Sequence, residues 1–153
     1  MTRVWRICRR PFAAFDGEGA RQAGGRWNRP GVAVVYTSAT LSLAALEYFV
    51  HLDPGDAPVD LVVVPADIAD DVSRRELAAA ALPRNWREYP APAELADLGT
   101  AWVHDGASAV LVVPSAIVPQ ERNVLFNPAH PDFRRVRIGR PEAFSFDPRM
   151  WKR

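Results

Sequence analysis

The stretch TLSLAALEYFVHL, residues 40–52, leaves the chain few options. At 100° per residue, Leu41, Leu43, Leu46, Phe49, Val50 and Leu52 spread nearly all round a helix, and such a helix has to be covered on most sides. Thr40 fits its N-cap. Glu47 and His51 fall one turn apart on the narrow polar strip that remains. The spacing predicts a helix over 40–51 whose one carboxylate looks into an enclosed space rather than bulk water. An isolated charge there is costly, so Glu47 either pairs with His51 or Arg26 or is held for a ligand.

Sheet is expected around that helix. VWRIC (4–8) reads as a strand, with the single cysteine, Cys8, as a small buried hydrophobe. Residues 11–31 are too rich in glycine and charge for regular structure and read as a long loop, ordered by Phe15 and Trp27. VAVVYTS (32–38) is a strand with Val32, Val34, Tyr36 and Ser38 on one face, and LVVVPAD (61–67) is an apolar strand ending at Pro65. Residues 70–86 read as one helical turn before a loop. A second helix is expected over 91–106, with Pro92 and Glu94 in its first turn, Leu95, Leu98 and Trp102 as its stripe and Gly106 as its stop. AVLVVPSAIVP, NVLFN and RRVRIG add three or four short strands. This order fits a mixed α/β or α+β domain with a largely antiparallel sheet, and 153 residues fit one domain, 1–153.

Composition narrows the function classes. With 19 basic and 18 acidic residues the net charge is +1, which gives no general pull toward nucleic acid or a membrane surface. No run approaches the roughly 18 apolar residues of a membrane span, and no signal-type segment opens the chain. With one cysteine, these features lead us to expect a cytoplasmic protein. Walker, GxGxxG, GxSxG, HExxH and CxxC motifs are absent, and His51, His104 and His130 lack metal-ligand spacing, so no metal is expected.

Four residues remain, each with two readings. Arg26, after Gly24 and Gly25, can bring a forked cation and backbone N–H groups to a phosphate, or clamp its loop to a carboxylate. Tyr36 can stack on a flat ring, or fill core and bond its hydroxyl to a neighbour. Glu47 can form an ion pair or stabilise developing positive charge. Ser115 can serve a site or bond local backbone after Pro114.

The segments VWRI, GGRWNRPG, VVYTS, LAALEYFVH, LPRNWREYPAP, LADLGTAWV, VLVVPSAIVP, ERNVLFNPAHPDF and FSFDPRM, in this order, resemble the RES domain family over nearly the whole chain. The family takes its name from arginine, glutamate and serine positions and supplies the toxin of Xre-RES toxin–antitoxin pairs. The resemblance implies an α+β fold like that of ADP-ribosyltransferases, in which a split, mainly antiparallel sheet and flanking helices form a cleft for NAD. It also implies NAD as substrate, cleaved at the nicotinamide–ribose bond with water or phosphate as acceptor, or used to transfer ADP-ribose to a protein. Arg26, Tyr36, Glu47 and Ser115 fall on the catalytic positions, and Gly25, Trp27, Asn28, Arg6 and Asn127 on candidate NAD-lining positions. The implied partner is an antitoxin with an Xre-type helix-turn-helix part; that complex, rather than this chain, would contact DNA. A homodimer and a hetero-oligomer with the antitoxin both stay open, as does a non-catalytic partner-binding domain.

Overall fold

The computed structural model describes residues 1–53 and 55–151, so the last two residues of the expected 1–153 domain lie outside the described residues. Among the described residues the strands are β1 (Thr2–Arg9), β2 (Val35–Ser38), β3 (Leu61–Ile68), β4 (Arg74–Glu76), β5 (Val110–Pro114), β6 (Arg122–Phe126), β7 (Arg137–Ile138) and β8 (Glu142–Ala143). The α-helices are α1 (Glu18–Ala23), α2 (Leu41–Phe49) and α3 (Ala93–Asp105). The strands form one sheet in the order β4-β5-β6-β2-β1-β3-β7, with β8 also on β3. Every pair is antiparallel except β4 with β5, so the α+β, mainly antiparallel expectation holds.

That sheet is nearly cut in two. β1 and β3 pair along their full length, from Thr2 opposite Ile68 to Arg9 opposite Leu61. β2 and β6 pair from Val35 opposite Phe126 to Ser38 opposite Asn123. Between these halves β1 and β2 meet only where Trp5 lies opposite Ser38. The chain leaves β2 at once for α2, whose N-cap Thr40 accepts a hydrogen bond from the Leu43 N–H at 3.1 Å.

Strand alternation then sorts the side chains. On one face Trp5 and Ile7 pack with Ala44 of α2, while Leu111, Val113, Leu125 and Tyr36 pack with Leu95 and Trp102 of α3. Both helices therefore cover this face, one on each side of the split. On the opposite face Val4, Cys8, Val35, Val62, Val64, Val124 and Phe126 form the main core, closed by the rings of Phe15 and Phe133.

Several local expectations are corrected. β3 continues through Pro65 to Ile68: the Pro65 carbonyl accepts from the Gly139 N–H at 2.8 Å, so its missing N–H faces the gap between β7 and β8, where no ladder bond is lost. β2 begins at Val35 rather than 32, because β6 offers partners only from there. The long loop contains the short helix α1 and a 3₁₀ turn over Arg10–Phe12. Residues 74–76 are a strand rather than a helical turn, recruited by the open edge of β5. Helix α2 is less enclosed than its composition suggests: Leu43 and Ala44 are buried, but Leu46 and Val50 are 37% and 53% exposed because the sheet supports one side only. In α3 the buried stripe is Leu95, Gly99 and Trp102, and Leu98 is partly exposed.

Gly99 lets the loop before β2 lie directly on α3. A β-carbon at Gly99 would sit 1.7 Å from the Trp27 carbonyl oxygen and 2.7 Å from its carbon. Both obstacles are backbone, so neither can swing aside. Gly99→Ala is expected to destabilise the fold by about 1–3 kcal/mol, the scale of an overpacked core. That lowers Tm by roughly 3–10 °C in a chain of this size. Calorimetric unfolding checks it.

Candidate functional site

The site is built where the two halves of the sheet part, on the face that carries α2 and α3. Ser38 ends β2, and its register partner Asn123 lies on β6 with its side chain on the same face. The Ser38 hydroxyl donates to Asn123 Oδ1 at 2.7 Å, which fixes the amide so that Asn123 Nδ2 donates to Glu47 Oε1 at 2.7 Å. Ser115, fully buried just past β5, donates its hydroxyl proton to the same Oε1 at 2.7 Å. Its oxygen accepts from the N–H groups of Ile117 and Val118, each at 3.1 Å, so both acceptor positions are filled and the proton has one direction left. Two locked donors thus hold Glu47 from β5 and β6, across the cleft from the helix that bears it. Among the described residues no hydrogen bond reaches Oε2.

Glu47 therefore pairs with neither of the partners expected for it. Its bonds go to Ser115 and Asn123, while the His51 ring lies beside that of Tyr89, with centroids 6.5 Å apart.

The second wall is the turn GGRWN. Gly25 N–H donates to the Asn28 carbonyl at 3.0 Å, closing the turn. The Tyr36 hydroxyl reaches into it from β2, donating to Asn28 Oδ1 at 2.6 Å and accepting from the Trp27 N–H at 3.0 Å. Only glycine fits at 25, since a β-carbon there would lie 2.7 Å from the Tyr36 oxygen and 2.9 Å from Asn28 Oδ1. Burial pushes the Tyr36 phenol well above its ordinary pKa, with the Trp27 N–H and the Arg26 charge opposing, so the hydroxyl keeps the proton it gives Asn28.

Arg26, at the corner of this turn, is half-buried. Its Nη1 donates to the Trp86 and Glu88 carbonyls at 2.8 and 3.2 Å. It clamps its loop as one reading held, but to neutral carbonyls and not to a carboxylate. Burial pulls its pKa down, and the Glu47 carboxylate leads the groups that oppose this, followed by Tyr36 and Tyr89. The result is a desolvated cation within electrostatic reach of Glu47 but not in an ion pair with it, an arrangement suited to an anionic ligand.

The remaining expected positions divide. Trp27 is core, 2% exposed among Val34, Leu95 and Trp102. Asn28 is equally buried and spends its Nδ2 on the Ala20 and Val32 carbonyls, at 2.8 and 3.0 Å. Both shape the Arg26 turn from behind. Arg6 is not brought to this face: it lies opposite Val64 of the main core, and its Nη1 donates to Cys8 Sγ at 3.2 Å and the Phe12 carbonyl at 2.9 Å. Asn127 is on the α3 side but away from the carboxylate, standing beyond the far end of β6 about 13 Å along the strand from Asn123, where its Nδ2 donates to the Val103 carbonyl of α3 at 3.2 Å. The segment ERNVLFN holds two asparagines, and the one at the carboxylate is Asn123. Alternation with Leu125 is common to both asparagines, and the register with Ser38, which the sequence does not show, picks Asn123.

Comparison with known proteins identifies the family. The RES domain matches residues 3–147. The chain belongs to the RES domain family. A relative from Sphingobium sp. (strain YBL2), named "Prs ADP-ribosylating toxin", is 40% identical over 155 residues, covering 97% of this chain and 96% of its own. The Toxin Res of Yersinia enterocolitica (strain NCTC 13174 / 8081) is 38% identical, over 96% of this chain and 98% of its own. The fold is also that of a chain in the crystal structure of the M. tuberculosis MbcT-MbcA toxin-antitoxin complex, with a TM-score of 0.74 at 17% identity over 98% of this chain and 86% of that one.

In this RES domain Tyr36→Phe is expected to keep the ring but strand Asn28 Oδ1 and the Trp27 N–H in a buried turn. A cost of about 1–3 kcal/mol follows, read as a lower denaturant midpoint at unchanged slope.

Proposed function

We propose that this protein is the toxin of a toxin–antitoxin pair and that its cleft binds NAD and breaks the nicotinamide–ribose bond. The observation that carries the reading is Glu47: both protein donors converge on Oε1, which leaves Oε2 as an acceptor for a ligand hydroxyl beside a desolvated arginine. NAD offers the matching groups, two ribose hydroxyls and a pyrophosphate. Arg26 binds the pyrophosphate, with Gly25 allowing close approach of the main chain. Tyr36 presents its ring to the nicotinamide, its hydroxyl being committed to the turn. Glu47 accepts from the nicotinamide-ribose hydroxyls and stabilises the oxocarbenium-like charge as the bond breaks. Ser115 and Asn123 orient Glu47.

The bond between ribose C1′ and the nicotinamide nitrogen breaks with both electrons passing to that nitrogen. The ring is cationic in NAD and leaves neutral, so no general acid is required. An acceptor oxygen then bonds to C1′ and gives up its proton to solvent. We favour water or phosphate as acceptor, hence NAD depletion, because Ala45 stands two residues before Glu47 where transferases of this fold often carry a second acid. Transfer of ADP-ribose to a protein is the second reading, favoured by the name of the Sphingobium relative. The restraint such an enzyme needs is an antitoxin, as in the complex that contains the structural neighbour. An Xre-type helix-turn-helix partner that carries the DNA contacts agrees with the net charge of +1 here.

Glu47→Gln is expected to lower nicotinamide release from NAD by at least about 10²-fold while the protein stays folded. Near-normal turnover in that variant would refute the assignment. Arg26→Ala is expected chiefly to raise KM for NAD, with melting followed in parallel because the guanidinium also tethers residues 86 and 88. Loss of stability with unchanged KM would make Arg26 a clamp only.

A further inference from the structure

The loop bearing Trp86, Arg87, Glu88 and Tyr89 is tied down on both sides of the cleft. Arg26 holds the Trp86 and Glu88 carbonyls, and Arg87 Nε donates to the Ala116 carbonyl at 3.0 Å, next to Ser115. Trp86 itself is buried. On this anchored loop Tyr89 is 81% exposed, and among the described residues its hydroxyl makes no hydrogen bond. A tyrosine that contributes so little to the core, next to a residue fixed by the site's arginine, has no packing reason to be aromatic.

Across from it stands His51, exposed, two residues past the end of α2 and four past Glu47. The two rings, 6.5 Å between centroids and tilted 57°, close the rim between the end of α2 and the Arg26 loop. Arg26 joins the two groups: it bonds the Glu88 carbonyl next to Tyr89, and Glu47 and Tyr89 both act on its charge.

We propose that Tyr89, with His51 facing it, is a stacking site for a planar heteroaromatic ring of the dinucleotide, a subsite separate from Tyr36. The inference rests on the NAD reading above. Arg26 lies between the two aromatic positions, in contact with the main chain on either side of Arg87 and in the same turn that Tyr36 closes. A pyrophosphate on Arg26 therefore puts a base within reach of each. Two rings of NAD have the required chemistry, adenine and nicotinamide, and nicotinamide mononucleotide tells them apart because it keeps the scissile bond and lacks adenosine.

The test is steady-state kinetics of wild type, Tyr89→Ala and Tyr89→Phe on NAD and on nicotinamide mononucleotide, the latter scored as a competitive inhibitor if it is not cleaved. Tyr89→Ala is expected to raise KM for NAD about tenfold, within the range measured for losing one base–aromatic stack. Its kcat stays within about twofold and its Tm unchanged, and Tyr89→Phe behaves as wild type. A rise confined to NAD assigns the ring to adenine, as expected with nicotinamide on Tyr36; an equal loss for the mononucleotide keeps the stack but moves nicotinamide from Tyr36 to Tyr89. Unchanged KM for both in Tyr89→Ala, or Tyr89→Phe as impaired as Tyr89→Ala, overturns the subsite. Wild-type protein that leaves NAD intact overturns the parent reading instead, so the two failures are distinct.

Discussion

Two donors that cannot turn away from Glu47 hold the site together. Ser115 has its oxygen filled by two backbone N–H groups, and Asn123 has its carbonyl filled by Ser38, so the proton of one and the amide of the other have a single target. Hydrogen bonds to a carboxylate are worth about 1.5–3 kcal/mol each, and here they also join elements that the sheet barely joins. β1 and β2 pair at one position, and the network from Ser38 through Asn123 to Glu47 ties β2 and β6 to the helix packed over β1 and β3. The cleft exists because pairing fails there, and the carboxylate is precisely held because side chains replace the missing ladder.

The opposite wall follows the same logic with a glycine-based turn. Tyr36 gives its hydroxyl to the turn, Asn28 spends its amide on two loop carbonyls, and Gly99 allows the Trp27 backbone to lie against α3. What these contacts leave over is a guanidinium bonded to carbonyls and, among the described residues, in an ion pair with no carboxylate. A structural arginine in such a place would be better served by an acid, as Arg3 is by Asp67 and Arg9 by Asp60. Among the described residues Arg6, Arg74 and Arg87 also bond carbonyls without an acid, and what sets Arg26 apart is that burial pulls its pKa down while the Glu47 carboxylate leads the groups that oppose this.

Much of this was legible in the sequence. Periodicity located α2 and α3, Thr40 and Gly106 marked their caps, and the glycine takes the left-handed conformation, φ 64°, that its position required. Strand alternation put Tyr36 and Ser38 on one face. The parts that were not legible depend on neighbours distant in the chain. RRE becomes β4 only because β5 offers an edge, and α2 exposes Leu46 and Val50 because nothing in its own residues says how many sides the sheet covers. The parity of β1, set by Trp5 meeting Ser38, turns Arg6 to the far face, and the same register makes Asn123 rather than Asn127 the partner of Glu47.

The central claim is that this cleft cleaves the glycosidic bond of NAD, and a time course of NAD with the purified protein, with and without phosphate and with products identified, tests it most directly. The account predicts nicotinamide released in step with NAD loss, together with ADP-ribose or its phosphorylated form. NAD that persists in buffer, and yields no nicotinamide when cell extract is added, would contradict it.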